Sequence, residues 1–138
     1  MNDTQAGNGG VSTIEVLIAL SLFIVAGGAM ASAHLFGHQL SEYATSTMKA
    51  VNDLEQVMER VHATPFADLR TSFPDGIPNG GPVNAYVAIV NGYTLEGEQI
   101  TVTYPSQTAD RLEVLVTVSW VQRGRARSRS LSTARTRG

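Results

Sequence analysis

Gly10-Val11-Ser12-Thr13-Ile14-Glu15-Val16-Leu17-Ile18-Ala19-Leu20 is the stretch on which the reading of this chain turns. A short polar segment ends in Gly9-Gly10, and an apolar run follows at once. That run holds a single carboxylate, Glu15, five positions past Gly10. An acidic side chain in a segment fit to cross a bilayer costs a few kcal/mol on insertion scales, so it calls for a partner. A cut after Gly10 would supply one. It creates an α-amino group on Val11, about one helical turn from Glu15. In an assembly, the amine of one copy can also face Glu15 of its neighbour and neutralise both buried charges.

Outward from that stretch, residues 14–33 are predominantly apolar; as helix such a run reaches about 30 Å, the thickness of a hydrocarbon core. A secretory signal has a shorter core and is cut behind it. Here the small-residue site precedes the core, so the apolar segment stays in the mature chain. Gly27-Gly28 interrupts good helix formers, and small residues in membrane helices permit close packing. Residues 40–61 continue as an amphipathic helix. Leu40, Ala44, Thr47, Val51, Leu54, Met58 and Val61 form one stripe, with Glu42, Lys49, Asp53 and Glu59 off it. Pro65 stops the helix, because the residue before a proline disfavours helical backbone.

Residues 66–82 contain Pro74, Pro78 and Pro82 among glycines and read as a loop. Strand signals take over after it. Residues 85–90 are apolar and β-branched and end at Asn91-Gly92, which reads as a tight turn. Ile100, Val102 and Tyr104 alternate with threonines. Leu112, Val114, Val116, Val118 and Trp120 alternate with Glu113, Leu115, Thr117 and Ser119, the clearest period-two stretch in the chain. A turn near Arg123-Gly124 returns the chain along residues 128–135. Two registers are open there. A two-residue turn puts Arg127 and Arg129 on the Trp120 face; a three-residue turn puts Ser128, Ser130 and Ser132 there instead. The serine register buries fewer charges and is the expectation. The fold class is α+β, a long helix whose stripe packs on a small antiparallel sheet. The expected segments are a leader (1–10), a membrane-spanning helix (11–36), an amphipathic helix (37–64), a loop (65–82) and a sheet region (83–138).

At 138 residues and 43% hydrophobic content, this is one domain with extensions. The net charge of −2 conceals an asymmetry: residues 121–138 carry six arginines and no acid. Such an end could neutralise phosphates through Arg123, Arg125, Arg127 and Arg129. The competing reading is an edge strand kept soluble by charge, or a surface that meets the acidic helix of a neighbour. No cysteine is present, so no disulfide holds the fold. The leader has Asp3 and neither Lys nor Arg. His34, His38 and Glu42 share a helix face, but no further ligand lies near them; they read as interfacial polar residues, and no metal or other cofactor is expected. Asp68, Asp75 and Asp110 are scattered and do not form a calcium loop. No nucleophile elbow or paired-carboxylate motif is present, so the expected role is not enzymatic.

The opening stretch resembles the prepilin signature of the type IV pilin and pseudopilin superfamily. That motif is a glycine, a cleavage point, an apolar first residue, three mostly apolar or hydroxyl residues, a glutamate and an apolar helix. Val11 stands where the family usually has Phe. Residues 112–136 are also similar to the C-terminal hairpin of minor pilins and type II secretion minor pseudopilins. The resemblance implies the pilin fold, cleavage after Gly10 by a membrane-embedded prepilin peptidase, and N-methylation of Val11. It implies insertion in the bacterial inner membrane with a periplasmic globular domain, then assembly with other pilin or pseudopilin subunits through Glu15. Some relatives take up DNA, so a filament-tip module that touches DNA or a surface through the arginine end is the alternative.

Overall fold

The computed structural model describes residues 12–137. Gly10 and Val11, and with them the expected cleavage and methylation site, lie outside the described residues. The described chain divides after Ser41 into two units. Helix α1, Thr13–Ala63, supplies the first and continues into the second. Within the second unit follow a 3-10 turn (Phe66–Asp68), the short helix α2 (Leu69–Ser72) and further 3-10 turns at Pro78–Gly80 and Ala85–Ala88. Strands β1 (Gln99–Thr103), β2 (Arg111–Gln122) and β3 (Arg125–Thr136) complete it. The class is α+β, as the sequence implies.

The sheet is antiparallel in the order β1-β2-β3. Alternation along β2 buries Leu112, Val114, Val116, Val118 and Trp120 on one face. Ile100 and Val102 of β1 pair with Val118 and Val116 and share that face. Ala50, Leu54, Val57, Met58 and Val61 of α1 belong to the same core cluster, with Leu69, Phe73, Tyr86 and Val90 from the connecting region. Leu54, Met58 and Val61 of the expected stripe are buried, but the buried face is turned from it elsewhere: Leu40 is 69% and Val51 38% exposed, while Ala50 and Val57, outside that stripe, are fully covered. The sequence pattern could not choose between the two sides, because Val51 and Val57 are equally apolar and only the partner face ranks them.

Residues 85–90 are not a strand. Asn84 adopts a left-handed φ of 48° and the chain enters the Ala85–Ala88 turn. Tyr86 and Val90, four apart, then both reach the core while Val87 faces out. No open strand edge is available to residues 85–90 along β1, because the preceding loop covers it. Ile100 N–H donates to Asn79 Oδ1 (2.8 Å), Tyr104 N–H to Asp75 Oδ1 (3.1 Å) and Gly76 N–H to the Val102 carbonyl (2.8 Å). Gly80 is required here: its φ is 71°, and a Cβ would stand 3.0 Å from the Tyr86 ring. The Tyr104 hydroxyl lies 2.8 Å from the Phe73 carbonyl and 3.1 Å from that of Leu69, closing the end of α2. Burial, with Asp75 adding to it, pushes that phenol up to about 12.

Asp53, expected on the solvent side, is only 4% exposed and faces Glu98, itself 6% exposed. Glu98 Oε2 accepts from the Thr94 and Leu95 N–H groups, each at 2.9 Å. Burial first, and then the adjacent Glu98, lift Asp53 from 3.8 to about 6, against the pull of Lys49. Two carboxyls in one buried place share a proton more readily than both ionise.

Two outcomes check this packing. Leu54→Ala should cost about 2–5 kcal/mol, whereas Val51→Ala should cost under about 1 kcal/mol. Denaturant melts of the two variants rank the helix faces, and equal losses would contradict the rotated stripe. The second concerns pH. A carboxyl whose pKa is raised on folding binds its proton more tightly in the folded chain. Its stabilising contribution is complete below 3.8 and is lost as pH rises through about 6. The thermal midpoint of the chain in an uncharged detergent should therefore drop by roughly 5 °C from pH 4.5 to 7.5 through this pair. Asp53→Asn, which cannot titrate, should remove that part of the slope; an unchanged slope in the variant would show that Asp53 is not its source.

Candidate assembly surfaces

In the first unit every described side chain is exposed, from Ser12 through Ser41. Phe23 is 77% and Val25 71% exposed, values foreign to water-facing apolar residues in such a run. The helix is long and apolar enough to cross a membrane. Its backbone groups are satisfied internally, as a hydrocarbon environment demands. The hydroxyls follow the same logic. Ser21 Oγ donates to the Leu17 carbonyl (2.8 Å) and Ser32 Oγ to that of Gly28 (2.9 Å), so neither needs an outside acceptor. The helix continues through Gly27-Gly28, where nothing lies within 4 Å of either added Cβ. Glu15 sits in the first turn, with its N–H on the Ser12 carbonyl (2.9 Å). A carboxylate is favoured there by the helix dipole. Among the described residues no ion pair engages it.

The second unit presents the arginines, and the register decides where. Arg123 and Gly124 have φ of 51° and 70°, the positive pair of a two-residue hairpin turn whose twist matches the strands. Gln122 then pairs with Arg125, Trp120 with Arg127 and Val118 with Arg129. This overturns the serine register: Arg125, Arg127, Arg129 and Arg135 lie on the Trp120 face, and Ser128, Ser130 and Ser132 on the other. The cost that argued against this register, burial of charge, is avoided along the half of β3 nearest the turn and falls on Arg135, which is half-buried. β3 is an edge strand, and residues 125–132 stay exposed. Long arginine stems reach past the apolar face while their heads stay wet.

Their heads meet α1. Arg123 Nη2 donates to Glu42 Oε2 at 2.6 Å and its Nε to the same oxygen at 3.2 Å. The Arg127 guanidinium stands 5.5 Å above the Tyr43 ring. Arg129 Nη2 donates to the Tyr43 hydroxyl at 3.0 Å, and that bond and charge lower the Tyr43 pKa. Of the four arginines offered for polyanion contact, three are thus engaged by α1 and Arg125 is not. Glu42 is engaged by Arg123, and no metal-ligating cluster occurs among the described residues. Sequence reading missed Tyr43 altogether. Its only signal was an aromatic ring beside Glu42 in a helix segment otherwise poor in aromatics.

Neither family models, nor curated proteins, nor solved structures give a match to this chain.

The register is testable through Tyr43. Arg129→Ser should return its ionisation toward the ordinary tyrosine value of 10.0, and Arg125→Ser should not. A pH titration of ring-labelled tyrosine by NMR reads this directly. The serine register requires both variants to behave alike.

Proposed function

We propose that this chain is a minor pilin or pseudopilin, a structural subunit of a type IV pilus or a type II secretion pseudopilus. The observation that carries the proposal is the exposed apolar helix of residues 14–33, interrupted by one acid at Glu15 and continuing into a compact helix-on-sheet unit. An apolar surface of that length needs either lipid or other helices around it. A subunit that waits in the membrane and then assembles uses both in turn. On this reading the chain sits in the bacterial inner membrane with the sheet unit in the periplasm. Prepilin peptidase cuts after Gly10, Val11 is methylated, and Glu15 meets the Val11 amine, first within the subunit and then across subunits. The role is structural, with neighbouring pilin or pseudopilin subunits as partners. The engagement of Arg123, Arg127 and Arg129 by α1 supports this over DNA contact, since those guanidiniums already have intramolecular partners.

Intact-mass analysis of membrane-extracted protein should show a chain that begins at methylated Val11. Retention of residues 1–10 in cells with active peptidase would defeat the proposal. Glu15→Ala should still be inserted and cut. It should enter filaments poorly, because removing one partner of a buried ion pair typically costs about 3–5 kcal/mol. The reading is the ratio of variant to wild-type chain in sheared filaments, or in crosslinked pseudopilin complexes, at equal membrane levels.

A further inference from the structure

At one end of the second unit, α2, the turn after β1 and the end of β3 enclose an open cavity of about 760 Å³. Arg70, Arg135 and Arg137 all line it, and no acidic residue does. Arg70 is far in sequence from Arg135 and Arg137, so the fold brings it to them. Among the described residues the one ion pair is Arg123 with Glu42, so none of the three has a carboxylate partner there. A cleft lined by one sign of charge focuses the field and raises the local concentration of counter-ions.

Two of the three are also braced. Arg70 Nη2 donates to Gln107 Oε1 at 2.7 Å, and Gln107 Nε2 in turn donates to the Tyr104 carbonyl at 3.2 Å. Arg135 Nη2 donates to the Thr64 carbonyl at 3.0 Å. Each guanidinium has five donors, so these bonds fix its position and leave others for a ligand. The Arg137 N–H donates to the Asp110 carbonyl at 2.9 Å, which anchors the backbone at the rim. Phe66 and Leu112 add apolar wall. Asp68 and Asp110 are neighbours of lining residues in the sequence but do not line the cavity.

We propose that this cavity is a binding site for an oxyanion group, phosphate or carboxylate, carried on a small organic molecule. Planar guanidiniums grip either group in two-point fashion. The volume lies within the range of small-molecule sites and exceeds what a bare ion fills. The site is separate from the Glu42 and Tyr43 contacts, and it does not depend on the filament reading.

The test is calorimetric titration of the full chain in an uncharged detergent at low salt, with inorganic phosphate and with citrate as probes. Saturable binding of at least one is expected, and which one binds assigns the group as phosphate or carboxylate. Arg70→Gln and Arg137→Gln should each weaken it about tenfold, the loss expected for one charge-assisted contact. Arg125→Gln removes the same charge at the other end of β3, about 33 Å away, and should leave affinity unchanged. Near-UV circular dichroism of Trp120 verifies that each variant is folded; because two independent variants are used, a misfolded one does not remove the test. No saturable binding of either probe would overturn the proposal. So would an equal loss in Arg125→Gln, which would mark diffuse charge instead of a site.

Discussion

One apolar sheet face must be kept from water without any covalent help, and the second unit is arranged around that need. The inner residues of β2, from Leu112 to Trp120, are each no more than 2% exposed. A three-stranded sheet is too small to cover itself, and the chain has no cysteine with which to staple it. The cover comes from α1 through Ala50, Leu54, Val57, Met58 and Val61, and from Leu69, Phe73 and Tyr86 in the connecting region. Burial of such side chains contributes about 1.5–3 kcal/mol each, which makes the helix and the sheet interdependent.

From that constraint follows the role of the β2–β3 turn. With two residues of positive φ at Arg123-Gly124, odd-numbered positions of β3 take the covered face. These positions hold arginines at 125, 127, 129 and 135. Near the turn Arg127 and Arg129 extend beyond the packed core to Tyr43 of α1, and Arg123 of the turn itself meets Glu42. At the other end Arg135 reaches the Thr64 carbonyl, close to the end of α1. The exposed Arg123–Glu42 pair itself adds little, about 0–1 kcal/mol. Its value is positional, since it occurs beside a cation–π contact and a hydrogen bond to the same helix segment. The other strand face is left to serines and threonines, which tolerate water, and Thr117 and Ser130 join there at 2.9 Å.

The core also accepts two acids. Glu98 is held by two backbone N–H groups, and Asp53 stands against it from α1 with its pKa raised. A buried acid pair of this kind is tolerable when one member keeps its proton.

The sequence by itself determined the helical period of residues 14–61, the alternation of residues 112–120 and hence the α+β class. Both are local repeats whose burial does not depend on a distant partner. It also determined that residues 14–33 are unlike a water-facing helix, since composition alone decides that. Only the tertiary structure decided which side of α1 is buried, because Val51 and Val57 differ in partner and not in chemistry. It decided that residues 85–90 are a turn region and not a strand, because the edge they would pair with is taken by Asp75, Gly76 and Asn79. It decided the parity of β3, because a count of two or three turn residues is invisible to period-two patterning when both faces are polar. And it brought Arg70 to Arg135 and Arg137, since proximity between residues sixty-five positions apart is a property of the packed chain and of nothing shorter.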